Sequence, residues 1–264
     1  MKVVLFCGGL GLRLREYSDI VPKPMIPIGV RPILWHVMRY YAHYGHREFI
    51  LCLGYKAEAI KEYFLRYSEA ASNDFVLSDG GRSLELLSSD IDDWKITFVD
   101  TGMSASVGQR LRAVQKHIGD DEMFLANYAD TLTDAPLPTL IKDFAARGKT
   151  AAFLAVRPRY TFHVVKLADG GEVTDIEHIR ESDTRINGGH FILRREIFDF
   201  IKAGEDLVNE PFRRLIELRR LIGYPYDGFW APMDTLQDKQ DLEKLSEDGD
   251  PPWAVWRSTD SSSL

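Results

Sequence analysis

The sequence predicts an α/β fold, a mostly parallel sheet flanked by helices with a smaller β-rich lobe in its second half. Three observations carry the prediction. Val3-Val4-Leu5-Phe6-Cys7 is an apolar run closed at once by Gly8 and Gly9, the pattern of a strand buried on both faces. Strand-length apolar runs then alternate with stretches of helical spacing as far as Val156, and such alternation builds parallel sheets through right-handed crossovers. Beyond Tyr160 the pattern changes to short alternating runs around glycines, which reads as hairpin structure.

Each element has a local reason. After the opening strand, Ile33, Leu34, Val37, Met38 and Tyr41 recur at helical spacing and Gly45 stops the helix. Phe49-Ile50-Leu51-Cys52-Leu53 is a second buried strand, turned by Gly54-Tyr55. Residues 57–67 form a helix with Ile60, Tyr63, Phe64 and Tyr67 on one face. Residues 68–93 are polar around Gly80-Gly81 and read as a connection with one short peripheral strand. A strand over 94–100, a small-residue loop over 102–108 and a helix over 109–117 follow. Met123 to Tyr128 is an apolar strand ending at Ala129-Asp130, and a helix over 137–147 leads to a strand over 151–156. Val164 to Leu167 and Val173 to Ile176 pair across Asp169-Gly170-Gly171-Glu172. The Gly188-Gly189 strand runs on through Phe191-Ile192-Leu193, and helices are expected around 196–201 and 212–221. One domain over 1–245 is expected, with 246–264, rich in proline and serine, as a loosely held tail.

At 264 residues and 45% apolar the chain can bury one large core. A net charge of −7 argues against a general nucleic-acid or anionic-membrane binder, yet leaves room for a small basic pocket. No apolar run approaches the ~18 residues of a membrane span. Cys7 and Cys52 each lie in a strand-like apolar run, so buried free thiols are expected, as in a reducing cytoplasm. The chain enters its first strand directly, with no leader pattern.

The opening strand ends in Gly8, Gly9 and Gly11, followed by Arg13 and then Lys23 between Pro22 and Pro24. Glycines let backbone amides approach a ligand closely, and such amides make a concavity suited to phosphate. The prolines fix the path around the lysine. The dinucleotide fingerprint fails, because Leu14 stands where its third glycine belongs. The P-loop fails too, because Gly11 is followed by Leu12-Arg13. Glycines alone fit a plain strand-to-helix turn; with Arg13 and Lys23 added, the stretch points to a polyphosphate site.

Gly8-Gly9-Leu10-Gly11-Leu12-Arg13-Leu14, Pro22-Lys23-Pro24-Met25 and Gly29-Val30-Arg31-Pro32-Ile33 resemble the sugar-1-phosphate nucleotidylyltransferases. The likeness extends through Val99-Asp100-Thr101-Gly102, Tyr128-Ala129-Asp130 and Ile186-Asn187-Gly188-Gly189 to Gly228-Phe229-Trp230-Ala231-Pro232-Met233-Asp234-Thr235-Leu236. The last stretch is the mark of the glucose-1-phosphate cytidylyltransferase branch. The resemblance implies a Rossmann-like mixed sheet, a nucleotide half over about 1–135 and an acceptor half over about 136–245. It implies transfer of CMP from CTP to a phosphorylated acceptor, with Mg²⁺ as cofactor, release of pyrophosphate, and a homo-oligomer. Arg13 and Lys23 would act catalytically. Nucleotide contacts would come from Leu5, Cys7, Gly8, Gly9, Gly11, Leu12, Arg13, Lys23, Thr101, Ser104, Arg110 and Tyr128. Asp130 and Asp234 match the family's metal aspartates; on the residues alone each also fits a helix cap. Arg110 also fits a surface helix position, and Asn187 a turn. His36, His43 and His46 lack metal-ligand spacing and read as structural.

The acceptor side departs from the family. Tyr160-Thr161-Phe162-His163-Val164-Val165 lacks the usual close-approach glycine, and Glu177-His178-Ile179-Arg180 puts His178 in place of the phosphate-holding lysine. Arg180 can replace that charge, since arginine grips phosphate with a fork. In the first loop Leu12 replaces a hydroxyl residue, a change that backbone contacts tolerate. Acceptor contacts from His178, Arg180, Asn187 and Gly188 are expected, around an acceptor other than glucose 1-phosphate. Two alternatives stay open: the same reaction with UTP, dTTP or GTP, and a non-catalytic nucleotide-binding homologue.

Overall fold

The computed structural model describes residues 1–9 and 21–257. Its frame is a seven-stranded sheet of β1 (Lys2–Phe6), β2 (Glu48–Leu53), β3 (Lys95–Asp100), β4 (Met123–Asn127), β5 (Ala151–Val156), β6 (Ile186–Arg194) and β7 (Leu221–Tyr226). The spatial order is β7-β5-β6-β4-β1-β2-β3. β6 alone runs against its neighbours, β4 and β5; the other four pairings are parallel. The mostly parallel mixed sheet expected from the sequence is therefore present.

Alternation along β1 divides the interior. Val3 and Leu5 face one core, and Val4 and Phe6 face the other. The first core is covered by α1 (Ile33–His43), α2 (Ala57–Leu65), α4 (Leu137–Arg147) and α6 (Leu236–Glu247), through residues such as Met38, Ile60, Phe144 and Leu242. The second is covered by α3 (Val107–Ile118) and α5 (Glu210–Glu217), through Leu111, Val114, Phe212 and Leu215. Each such side chain, fully buried, stabilises the fold by about 1.5–3 kcal/mol. Cys7 and Cys52 are buried free thiols in opposite cores, so they do not pair.

Three expectations are corrected. Residues 68–93 hold a helical turn, Glu69–Ser72, and a complete hairpin, Phe75–Ser78 against Ser83–Leu86. Gly80 and Gly81 turn it with φ of 62° and 90°, where glycine carries no Cβ penalty. The expected helix over 212–221 stops at Glu217. Arg219 then takes φ 55° and β7 begins at Leu221; no glycine marks this turn, so the apolar run looked continuous. The loose tail is also corrected as far as residue 257. Trp253 is 1% exposed in the first core, and its indole N–H donates to Nδ1 of His36 at 3.3 Å. The rest of that tail, residues 258–264, lies outside the described residues.

The β-rich lobe is the hairpin His163–Leu167 with Val173–His178. A separate pair, Trp230–Pro232 with Thr131–Thr133, ties the chain before α6 to the chain leaving β4. That pairing brings distant parts of the sequence to one place.

Candidate functional site

The carboxyl ends of β1, β2, β3, β4, β5 and β7 share one edge of the sheet, where open α/β sheets bind ligands. At that edge the Lys23–Met25 turn, held by Pro22 and Pro24, aims Lys23 at two carboxylates. Its Nζ donates to Oδ2 of Asp130 at 2.6 Å and to Oδ1 of Asp234 at 2.5 Å. The lysine side chain is 13% exposed and the aspartates are 20% and 28% exposed. Burial opposes the ammonium charge, but the two carboxylates outweigh it and raise the Lys23 pKa above its ordinary value. Burial likewise pushes the Asp130 carboxyl up, and Lys23 pulls it back.

Local structure explains why both acids point here. Asp130 follows Ala129, whose φ is 65°; the side chain of Asn127 accepts the Ala129 N–H at 2.6 Å and fixes this left-handed corner. The Met233 N–H donates to the Asp130 carbonyl at 3.0 Å, so the two acidic segments are joined through backbone. Neither aspartate caps a helix. Thr235 caps α6, in a box with Asp238, and α4 begins without a side-chain cap.

This donor set fits Mg²⁺. Both carboxylates present an oxygen to one point of positive charge, for which the ammonium stands in. Mg²⁺ takes hard oxygen donors, commonly one or two carboxylates completed by phosphate and water. Among the described residues no group of three or more His, Cys, Asp or Glu could hold a metal, so a cation held by these two carboxylates would complete its shell with phosphate and water.

The glycine loop is fixed from behind. Arg110 is 4% exposed and is not a surface residue. Its guanidinium donates to the carbonyls of Leu53 (3.1 Å), Gly8 (2.9 Å) and Met103 (3.3 Å) and to Oγ1 of Thr101 (2.7 Å). The chain ends leaving β1, β2 and β3 are thus stapled by one side chain. A Cβ on Gly8 would lie 2.0 Å from the Arg110 guanidinium, so that glycine is required by the arginine. Gly9 meets nothing within 4 Å and is open. Leu5 and Cys7 are wholly buried, and the Cys7 N–H is taken up by the Leu5 and Cys52 carbonyls, so neither residue is open to a ligand. Ser104 is exposed on the loop ahead of α3. Gly11, Leu12 and Arg13 lie outside the described residues.

On the other flank Asn187 is both turn former and positioner. Its Oδ1 accepts the Gly189 N–H at 2.9 Å and its Nδ2 donates to the Tyr128 hydroxyl at 3.0 Å. The Gly188 carbonyl accepts the Trp230 indole N–H at 2.8 Å. His178 ends the lobe hairpin with its ring 5.3 Å from that of His163, and its Nδ1 accepts the Arg180 backbone N–H at 3.2 Å. The Arg180 side chain lines a cavity of about 340 Å³ with Arg157, Arg159, Asp227, Phe229 and Trp230. The sequence reading missed Arg157, Arg159 and Asp227; the signal was Arg157-Pro158-Arg159 directly after a buried strand. It also missed Gly54, where a Cβ would crowd the Gly8 and Gly102 carbonyls at 2.8 and 2.9 Å.

The family model described as Nucleotidyl transferase matches residues 2–231. The chain is 38% identical over 257 residues to glucose-1-phosphate cytidylyltransferase of Salmonella typhimurium, covering 97% of this chain and all of that one. It is 38% identical over 258 residues to the protein of the same name from Salmonella typhi, with the same coverage. The solved structure of UDP-glucose pyrophosphorylase with UDP-glucose superposes with a TM-score of 0.68 at 16% identity, over 94% of this chain and 99% of that one; at that identity the likeness speaks for the fold.

Proposed function

The chain belongs to the nucleotidyl transferase family, and from that premise we propose that it moves the CMP of CTP onto a phosphorylated acceptor of the sugar 1-phosphate class, releasing pyrophosphate. The observation that carries this reading is the convergence of Asp130 and Asp234 on Lys23 at the ligand edge of the sheet. The 38% identity to a cytidylyltransferase supports CTP as the nucleotide.

The acceptor's phosphate monoester is largely dianionic at neutral pH, because its second pKa is about 6. It attacks the α-phosphorus in line, so no side chain has to remove a proton. The protein's task is to hold two anions that repel each other and to stabilise charge on the transferring group. Lys23 places a fixed cation on a stiff turn for that purpose, and Arg13 adds a second on the glycine loop. The loop amides beyond Gly8 cradle phosphate, and Arg110 keeps their three chain segments in register. Asp130 and Asp234 are the residues that would hold Mg²⁺, which when bound supplies Lewis-acid neutralisation of phosphate charge. Asn187 orients the acceptor and donates to the hydroxyl of Tyr128, a nucleotide contact. Buried free thiols support a reducing cytoplasm as its place of work. Exposed Phe75, Leu77, Phe162 and Ile176 on two hairpins support self-association.

Pyrophosphate release measured with CTP, UTP, dTTP and GTP against a panel of phosphorylated acceptors tests the proposal. CTP should be preferred, and Arg13→Ala should lower kcat by about 100-fold, the loss expected for one preorganised donor. No release with any of the four nucleotides would refute transfer; full activity of Arg13→Ala would refute its role.

A further inference from the structure

The arginine-lined cavity gathers three arginines and one aspartate on an acidic molecule. The charged residues lining it are Arg157, Arg159, Arg180 and Asp227. Asp227 is already engaged, accepting from Arg157 at 3.0 Å and from Arg185 at 2.9 and 3.1 Å. Arg159 and Arg180 pair with no carboxylate among the described residues. Arg159 donates to the Trp230 carbonyl at 3.2 Å and lies 5.6 Å over the Phe229 ring. Arg180 donates to the Arg159 carbonyl at 2.7 Å. Backbone and ring contacts therefore hold both guanidinium groups in place while leaving most of their five N–H donors each unspent.

The cavity also has a defined place relative to the two aspartates. Arg157 and Arg159 leave the carboxyl end of β5, and Asp227 leaves that of β7. β5 is separated from β4 by β6 alone, so the cavity lies about 10 Å along the sheet edge from the strand that delivers Asp130, at about 4.8 Å per strand. Trp230 forms part of its wall, and the same segment continues into Asp234. The acceptor's reacting phosphate belongs beside the aspartates. A cation pair about 10 Å away is too distant for that phosphate, but matches the far end of a sugar ring.

We propose that Arg159 and Arg180 bind a second anionic group on the acceptor, a carboxylate or phosphate remote from the reacting phosphate. The inference rests on the transfer reading above and adds the class of acceptor: a doubly acidic sugar phosphate in place of a neutral hexose 1-phosphate. Charge-assisted bonds from two guanidinium groups discriminate strongly, because a neutral group in their place leaves both unpaired.

The test uses the full chain with CTP and Mg²⁺, reading pyrophosphate release from glucose 1-phosphate, glucuronic acid 1-phosphate and glucose 1,6-bisphosphate. At least one acidic acceptor should exceed glucose 1-phosphate in kcat/KM by about 10- to 100-fold, the range of one or two charge-assisted bonds. The carboxylate and phosphate arms tell which anion it is. In the Arg159→Ala, Arg180→Ala double variant the acidic-to-neutral ratio should fall to near one, with KM carrying the loss. Arg159→Lys, which keeps the charge, should retain part of the preference. Glucose 1-phosphate performing as well as both acidic acceptors would overturn the inference and leave the transfer reading standing. Survival of the full preference in the double variant would overturn it equally. No pyrophosphate from any acceptor with any nucleoside triphosphate would sink both.

Discussion

Replacing Lys23 with Met removes the cation that Asp130 and Asp234 share. Methionine keeps the length of the side chain and deletes its charge, so the change isolates electrostatics from packing. Taking one partner out of a buried ion pair costs about 3–5 kcal/mol. The exposures of 13%, 20% and 28% admit some water, which places Lys23→Met at the low end, about 3 kcal/mol. At roughly 2–4 °C per kcal/mol for a chain of this size, the melting temperature in EDTA should fall by about 6–12 °C. Millimolar MgCl₂ should then raise the melting temperature of the variant more than that of the wild type, because the divalent ion replaces a lost charge in one and competes with a resident one in the other. The pH dependence has a definite sign. The Lys23 pKa is raised in the folded state, so its stabilisation is fully present below the ordinary lysine value of about 10.4 and is lost as pH rises through the higher folded value. The gap between wild type and variant in EDTA should therefore stay constant from about pH 7 to 9 and close only in stronger alkali. Differential scanning calorimetry in EDTA and in MgCl₂ gives both numbers. A variant melting within 2 °C of wild type in EDTA, or equal magnesium gains in the two proteins, would refute the reasoning.

Three further expectations follow from single contacts. Ala129→Gly should change stability by less than about 1 kcal/mol in urea titration, since relief of the left-handed strain (about 1–2 kcal/mol) is offset by the entropy glycine returns to the unfolded chain and by loss of a methyl that is wholly buried in the first core. Arg110→Met should destabilise by about 2–3 kcal/mol, because four hydrogen bonds, two of them buried, are lost; Arg110→Lys should recover little of this, as an ammonium cannot span that fork. His36 is 8% exposed and burial lowers its pKa to about 4. The unfolded state then takes up protons first as pH falls, so stability should drop from about pH 6.5 to 4, by up to about 3 kcal/mol. A His36 substitution should remove its share of that drop from the melting-temperature profile, the remainder coming from His46 and His190, whose pKa values burial also lowers to about 4.

How legible the molecule was in its sequence depends on which signals were local. The sheet could be read because each central strand is a continuous apolar run, a direct consequence of burial on both faces. β7 could not, because its turn is made by Arg219 at φ 55° rather than by a glycine, and its apolar residues extend a helical pattern. Trp253 looked like part of a polar tail because its partners, His36 and Phe229, are far away in sequence. On the residues alone Asp130 and Asp234 each fit a helix cap; in the fold Thr235 caps α6 and α4 has no side-chain cap, which local sequence does not announce. Arg110 looked like an ordinary helix residue, since nothing in its neighbourhood along the chain announces the three carbonyls that surround it.

The same contrast explains why overall charge is a poor guide to what this protein binds. At −7 the molecule as a whole repels anions, and at the distance of a Debye length, about 8 Å in physiological salt, that repulsion is already weakened. A substrate in the cleft therefore experiences the charges nearest to it. On the nucleotide side the nearest described cation, Lys23, is balanced by two carboxylates until a ligand changes the balance. In the arginine cavity Arg159 and Arg180 pair with no carboxylate among the described residues. The first arrangement lets phosphate bind only with compensation for the acids beside it, whereas the second favours any well-placed anion. Selectivity for the acceptor should therefore reside in the arginine cavity, and control over phosphoryl chemistry in the lysine and its two aspartates.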